Sequence, residues 1–116
     1  MSAAKSLSPK QLHISDTARA DIREVIGYLA TEASSEIATT FLQRIDRELT
    51  MLAELGHSGV SREWISPGLR MHVIGNYCVY FRVTDKETRI VRFLHGARDV
   101  NAVVFNALKD AGAEET

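Results

Sequence analysis

Cysteine and long apolar runs are both scarce in this sequence. A single cysteine, Cys78, cannot form an internal disulfide, and its position within an apolar stretch is typical of a small buried residue in a reducing, cytoplasmic environment. No apolar run reaches the roughly 18 residues that a membrane-spanning helix needs, and residues 1–10 lack the apolar block of a secretory signal. We therefore expect a cytoplasmic protein with no membrane partner.

Recognisable motifs for metals, cofactors and common hydrolases are also missing. The four histidines stand far apart, and none has a cysteine or carboxylate beside it at a spacing typical of metal ligands. The sequence contains no glycine-rich phosphate loop, nucleophile elbow or dinucleotide-binding fingerprint. We therefore predict no metal, no cofactor and no hydrolase of a familiar kind.

The charges are nearly balanced overall but unevenly distributed along the chain. A formal net charge of −1 over 116 residues does not provide the basic excess typical of nucleic-acid-binding proteins. Residues 16–55 contain eight acidic residues against four arginines, whereas residues 57–100 contain six arginines and Lys86 against four acidic residues. This asymmetry indicates that the second half of the chain faces an anionic partner.

Two stretches in the first half have the apolar spacing of amphipathic helices. Ser15 and Asp16 are good N-cap residues for a helix that extends to about residue 31. Ser34 or Ser35 can cap a second helix, which Gly56 ends. Because the break between the two helices is short, we expect an antiparallel helical hairpin.

The second half predicts a meander of three antiparallel strands. The runs Leu69–Ile74, Tyr77–Val83 and Thr88–His95 are rich in β-branched and aromatic residues, and a hairpin signal, Gly75-Asn76, separates the first two. Residues 11–14 predict a further short strand. The expected fold is therefore α+β with the order β-α-α-β-β-β, in which the helical hairpin packs on one face of a small antiparallel sheet.

The remaining segments complete the predicted domain organisation. We expect a single domain over residues 11–108, a flexible lead-in at residues 1–10 and a frayed tail at residues 109–116. The connection before the meander contains the only tryptophan, Trp64. We expect its indole to lie over the edge of the core rather than to bind a ligand.

Arginines on the predicted strands, together with one histidine, are the candidate binding residues. If Arg70, Arg82 and Arg92 all point away from the helices, they line one exposed sheet surface that suits a phosphodiester or an acidic peptide. The alternative, given equal weight, is a solvated face with a few ion pairs. His95 ends a strand, where it serves as an acid or base or caps the strand through a backbone hydrogen bond, and Arg98 follows just beyond.

Five sequence runs occur in an order and spacing that is fairly specific when they are taken together. They are DIREVIGYLA, FLQRIDRELTMLAELG, PGLR, NYCVYFRV and IVRFLHGARD. They resemble the ParE-like branch of the RelE/ParE toxin family of bacterial type II toxin–antitoxin systems. The resemblance covers about residues 10–105. It implies the same β-α-α-β-β-β order, with a small twisted sheet partly wrapped by the helical hairpin.

The resemblance implies one of two kinds of toxin. RelE-like members are ribosome-dependent mRNA endoribonucleases that use basic side chains and a terminal Tyr or His, whereas ParE-like members lack that set and are associated with inhibition of DNA gyrase. Here the run VNAVVFNALKD contains no Tyr, His or Arg, and Tyr77 stands where nuclease members tend to carry arginine. The resemblance therefore implies a binding toxin with no catalytic residue, whose contacts with target or antitoxin are made by Arg70, Arg82, Arg92, His95 and Arg98.

The resemblance also implies the partners of the protein. A cognate antitoxin would lay an extended segment into a groove beside the helices and sheet, forming a hetero-oligomer, and DNA gyrase would be the target. Two alternatives remain open at this point: a RelE-like mRNA endoribonuclease, and a non-toxic module that binds an antitoxin. The chain has no recognisable DNA-reading helix, so we expect no direct sequence-specific DNA binding.

Overall fold

Residues 11–56 and 58–96 are described by a computed structural model, in which a helical hairpin packs on a five-stranded sheet. The elements are β1 (Gln11–Ile14), α1 (Asp16–Glu32), α2 (Ser35–Leu55), β2 (Val60–Ser61), β3 (Arg70–Ile74), β4 (Tyr77–Val83) and β5 (Glu87–His95). The strand order in the sheet is β1-β5-β4-β3-β2; β1 is parallel to β5, and the other neighbours are antiparallel.

This architecture confirms the predicted fold class and element order. Neither helix in the described part of the chain is long and apolar enough to cross a membrane. The expectations for the lead-in at residues 1–10, the end of the domain at residues 97–108 and the tail at residues 109–116 lie outside the described residues.

The helices begin and end where capping side chains satisfy their terminal backbone groups. The Ser15 hydroxyl accepts a hydrogen bond from the amide of Ala18 at 3.0 Å, and the Ser34 hydroxyl accepts one from Ile37 at 3.0 Å. Gly56 follows α2 with φ 71°, a left-handed conformation that favours glycine. The predicted helix bounds are confirmed to within one residue because these local caps were visible in the sequence.

The strand meander also forms at the predicted positions, with small differences at its ends. β4 has the predicted bounds, β3 begins one residue later, and β5 begins one residue earlier. Gly75 has φ 60° at the first position of the β3–β4 turn, where a two-residue hairpin needs a left-handed residue.

The sequence prediction missed the short edge strand β2. Val60 pairs with Met71, and Ser61 pairs with Arg70, so that two residues of the predicted connection join the sheet. Gly59 precedes them with φ 76°, and a Cβ atom there would lie 2.5 Å from the Met71 carbonyl oxygen. A glycine is therefore required where this chain segment approaches β3.

The two helices cover one face of the sheet, and this helix-side face holds the larger core. Its buried members are Ala18, Ile45, Leu49, Leu52, Ile74, Val79, Phe81, Ile90 and Phe93. The rings of Phe41 and Tyr77 pack against Phe93, with centroid distances of 6.5 and 5.2 Å. Full burial of one such large apolar side chain contributes about 1.5–3 kcal/mol, so this cluster is the main source of stability.

The opposite face, which we call the loop-side face, is also apolar and largely buried. Its cluster consists of Ile65, Leu69, Met71, Tyr80, Val91 and Leu94. Ile65 and Leu69 belong to the connection between β2 and β3 at residues 62–69, which we call the 62–69 loop. The helical hairpin packs on one face as predicted, but the second face, which both interpretations of the strand arginines treat as exposed, receives apolar side chains from this loop.

The prediction for Trp64 is also wrong. The 62–69 loop places Ile65 in the loop-side cluster but directs Trp64 outward, with 75% of its surface exposed. Adjacent residues in a tight loop point in different directions, and here the smaller side chain is the buried one.

Candidate functional site

The structure does not place the predicted strand arginines on one surface. Arg70 pairs directly across the sheet with Phe81, so its side chain lies on the helix-side face. Its guanidinium donates hydrogen bonds to the carbonyl oxygens of Ser58 at 2.6 Å and Gly59 at 3.2 Å. Arg70 therefore ties the connection after α2 to the sheet.

Arg92 forms an ion pair with α1. Its Nε and a terminal nitrogen lie 2.7 and 2.9 Å from the two carboxylate oxygens of Asp21, and the amide of Phe93 donates to the same carboxylate at 3.0 Å. The two charged side chains are only 13% and 14% exposed. Asp21 thus holds the edge of β5 against α1, and Arg92 is engaged within the fold while also lining a groove between α1 and β5 that contains His95.

A β-bulge in β5 changes which faces of the sheet the side chains of this strand occupy. Tyr80 faces Arg92 and Phe81 faces Ile90, so Val91 is an extra residue on β5. Simple alternation along the sequence therefore assigns the wrong face to the side chains on one side of the bulge.

Arg82 is the predicted arginine that does lie on the loop-side face. Its guanidinium donates to the Ser66 hydroxyl at 2.6 Å and approaches the Pro67 carbonyl oxygen at 3.3 Å. Arg89 is its direct cross-strand neighbour, and Arg89 forms an ion pair of 2.7 Å with Glu87. Burial and the nearby positive charge of Arg89 both lower the pKa of Arg82, which nonetheless stays protonated at neutral pH.

The 62–69 loop that positions Arg82 is held by its own hydrogen bonds. The amide of Arg62 donates to the Leu69 carbonyl at 2.8 Å, and the amide of Leu69 donates to the Ser66 carbonyl at 3.1 Å. The Glu63 carboxylate accepts a hydrogen bond of 2.7 Å from the amide of Gly68. Ser66, only 2% exposed, turns inward, so the loop has one defined arrangement with Trp64 on its outer side.

Two titratable groups near this loop are poor candidates for a nucleophile or a base. Burial raises the pKa of the Cys78 thiol, although the charge of Arg62 partly opposes the shift. Burial likewise raises the pKa of the Tyr80 hydroxyl. Both groups are therefore protonated at neutral pH. Cys78, predicted to be a small buried residue, is only partly buried and packs against the loop-side cluster.

His95 lies at the end of β5, beside a groove of about 360 Å³ between α1 and β5. Its exposed imidazole meets the edge of the Tyr77 ring at a centroid distance of 5.3 Å. Tyr28 lies on the other wall of this groove and is 61% exposed. Arg98, the last candidate, lies outside the described residues.

A second groove, of about 530 Å³, follows the outer side of α2. Ile37, which is 52% exposed, and the partly buried Phe41 form its apolar lining, and Arg44 and Arg47 lie beside them. Both grooves thus combine exposed apolar side chains with charged groups, which is the composition of a protein-binding surface.

Sequence reasoning missed a polar cluster that joins α2 to β3. Glu48 lies 2.8 Å from His72 Nε2 and 2.8 Å from Arg44 Nε. Burial alone would raise the pKa of Glu48, but hydrogen bonds from His72 and Arg44 outweigh it, and the pKa lies below its ordinary value. The signal for the Arg44 contact was present, since the two residues are four apart on a helix, whereas the His72 contact depends on tertiary packing.

Within the described residues, no three His, Cys, Asp or Glu side chains are grouped as they would be to hold a metal ion. The polar groups near the loop-side face are instead arginines and hydrogen-bond acceptors, which suit an anion or an acidic side chain.

The sequence and the fold of this chain were compared with those of known proteins. A family model described as the ParE toxin of the type II toxin–antitoxin system, parDE, matches residues 12–100. A chain of the chromosomal ParDE toxin–antitoxin system from P. aeruginosa superposes with a TM-score of 0.66 at 24% identity, covering 74% of this chain and 95% of that one. A chain of the RelBE2 toxin–antitoxin complex from Mycobacterium tuberculosis gives a TM-score of 0.49 at 19% identity over 76% and 99% of the two chains. No curated protein matches the sequence.

Proposed function

The chain belongs to the ParE toxin family of type II toxin–antitoxin systems, and on that premise we propose that it stops bacterial growth by binding DNA gyrase rather than by cutting RNA. The observation that carries this choice is the separation of its basic side chains. Arg70 lies on the helix-side face, Arg82 lies on the loop-side face, and Arg92 is paired with Asp21.

Cleavage of RNA would need these groups to converge. A ribonuclease must place a general base near the 2′-hydroxyl and basic groups around one scissile phosphate. On the loop-side face, Tyr80 and Cys78 both have raised pKa values and make poor bases. Three arginines lie near these groups, Arg62, Arg82 and Arg89, and Arg89 is already paired with Glu87. A surface of this kind supports binding better than catalysis.

The proposal includes neutralisation by a cognate antitoxin in the cytoplasm. The grooves beside α1 and α2 expose Tyr28 and Ile37, and covering such apolar side chains favours association. An extended antitoxin segment would fit both grooves. The P. aeruginosa neighbour is itself a chain of a toxin–antitoxin system. The toxin would then act only when its antitoxin is removed.

Two assays run side by side test the proposed target. Purified protein is added to DNA gyrase with relaxed plasmid and, separately, to ribosomes programmed with mRNA. We expect loss of supercoiling in the first assay, relief of that loss by the protein encoded next to the toxin gene, and intact mRNA in the second. Codon-dependent mRNA cleavage without any effect on supercoiling would refute the gyrase proposal in favour of the nuclease.

A further inference from the structure

The outward position of Trp64 is fixed by the loop that carries it. Tryptophan side chains are highly buried on average in folded proteins, yet 75% of the surface of Trp64 is exposed to solvent. The main-chain bonds from Arg62 to Leu69 and from Leu69 to Ser66 close the loop, and Ile65 anchors it in the loop-side cluster. The indole is thus presented on a pre-ordered support, which reduces the entropy that a partner must remove on binding.

Two arginines, one within the 62–69 loop and one in contact with it, donate only to neutral oxygens in the described part of the chain. Arg82 contacts the Ser66 hydroxyl and the Pro67 carbonyl, and Arg62 donates to the Ser61 carbonyl at 3.1 Å. A guanidinium group has five N–H donors, so both side chains retain donors for an incoming acceptor. Glu63, the acidic residue of the loop, is occupied by the amide of Gly68.

We propose that Trp64, Arg62 and Arg82 form a docking surface for a protein segment that carries a carboxylate next to an apolar side chain, and that this segment belongs to the toxin's cellular target. This inference rests on the proposed function. The carboxylate pairs with the half-buried Arg82 guanidinium, and the apolar side chain packs on the indole. Trp and Arg are the residue types most enriched among those that dominate binding energy at protein interfaces.

The surrounding charges favour an acidic peptide over a nucleic acid. Glu63 follows Arg62 in the loop, and Glu87 is paired with Arg89, the cross-strand neighbour of Arg82. A phosphate backbone running across this surface would therefore meet negative charge beside each arginine. A single carboxylate on a folded or extended peptide can approach Arg82 without meeting them. The near-neutral chain also lacks the basic excess that would hold a polyanion.

The position of the docking surface favours the cellular target, rather than the antitoxin, as the protein that binds there. The apolar grooves assigned to the antitoxin lie beside α1 and α2, whereas Arg82 and the 62–69 loop that carries Trp64 cover the opposite face of the sheet. A partner that binds the loop-side face therefore contacts residues other than those in the two grooves.

Because the sequence contains a single tryptophan, the NMR signal of the Trp64 indole can be used to detect binding at this surface. The full chain is labelled with ¹⁵N-tryptophan, which gives one indole N–H resonance, and is titrated separately with gyrase, with the antitoxin and with single-stranded RNA. We expect gyrase to shift or broaden this resonance, and the antitoxin and RNA to leave it unchanged. A response to the antitoxin or RNA and not to gyrase would overturn the proposal.

Growth inhibition by induced variants provides a readout that does not depend on the identity of the target. Trp64→Ala and Arg82→Gln are compared with Arg23→Gln, which removes an exposed arginine on α1. We expect each of the first two variants to weaken growth inhibition at least about tenfold, the loss that follows from 1.4 kcal/mol of binding energy. Arg23→Gln is expected to remain as toxic as the wild type.

Two controls separate docking from folding and from the proposed function. All variants should retain antitoxin binding and a thermal unfolding midpoint close to that of the wild type, which excludes a folding defect. Trp64→Phe, which keeps an aromatic ring at this position, should restore part of the growth inhibition that Trp64→Ala loses. Wild-type-like toxicity of both Trp64→Ala and Arg82→Gln would overturn the docking surface while leaving the toxin function intact. A wild-type chain that does not inhibit growth would overturn the toxin function, and the target surface with it.

Discussion

The two faces of the sheet differ in how their charges are satisfied. On the helix side and at the adjoining strand edge, Arg92 meets Asp21, and both His72 and Arg44 meet Glu48. On the loop side, Arg82 donates only to neutral oxygens in the described part of the chain. Two side chains are exceptions: Arg70, on the helix side, donates to the carbonyl oxygens of Ser58 and Gly59, and Arg89, on the loop side, is paired with Glu87. The difference between the faces therefore rests on Arg82, which keeps N–H donors for a partner. The contrast separates residues that maintain the fold from residues available to a partner.

The largest difference between the two faces is expected when a buried side chain of the helix-side cluster is truncated. Phe81→Ala removes a fully buried ring from the helix-side cluster and should lower the free energy of unfolding by about 3–5 kcal/mol. Trp64→Ala removes a larger ring from the exposed loop and should change it by no more than about 0.5 kcal/mol. Urea unfolding followed by circular dichroism measures both. Similar losses in the two variants would show that the loop side also maintains the fold.

The next largest effect is expected at the edge of β5. Asp21→Asn removes the negative charge that faces the poorly exposed Arg92 and weakens the acceptor of the Phe93 amide, which should cost about 2–4 kcal/mol. Glu24→Gln, on the exposed side of the same helix, is the matched control and should be nearly neutral. Equal unfolding midpoints for the two variants would mean that the ion pair does not hold α1 to the sheet.

The smallest effect should appear at Glu48, and it should depend on pH. The pKa of Glu48 is lower in the folded chain than its ordinary value, so the carboxylate stabilises the fold above its unfolded pKa, and this contribution is lost as the pH falls through the folded pKa. Glu48→Gln should therefore cost up to about 1 kcal/mol near neutral pH.

The gap between the wild type and Glu48→Gln should close as the pH is lowered from about 6 to about 3, a range that spans the ordinary glutamate pKa of about 4.3. Thermal unfolding across this range measures the gap, with Glu54→Gln, exposed on the same helix, as the control. A gap that widened in acid would contradict the assignment of His72 and Arg44 as the partners that stabilise the carboxylate.

Most of the fold could be predicted because its signals are local. Ser15 and Ser34 cap the helices through residues three positions away, and Gly75 sets its turn through its own backbone. The element order follows from the same local patterns, and the family motifs imply the same order. The strand β2 has no such signal, because its two residues become a strand only by pairing with β3.

The site could not be predicted to the same extent because it depends on which face each strand residue occupies. Both faces of the sheet carry apolar clusters, so the alternation of side chains in β3 and β4 does not show which face the helices cover. A common surface for Arg70 and Arg82 is therefore compatible with the sequence, although the two side chains lie on opposite faces. The bulge at Val91 and the contact between Asp21 and Arg92, which are 71 residues apart, leave no trace in the local pattern.

The parallel pairing of β1 with β5 has a consequence for the order of events during synthesis. Gln11 pairs with Glu87, and the amide and hydroxyl of Ser15 donate to the carbonyls of Ile90 and Val91. The residue that caps α1 thus reaches its final bonds only after β5 has left the ribosome. A nascent chain that has emerged only through β4 cannot complete its sheet, so the sheet closes only when β5 emerges rather than progressively.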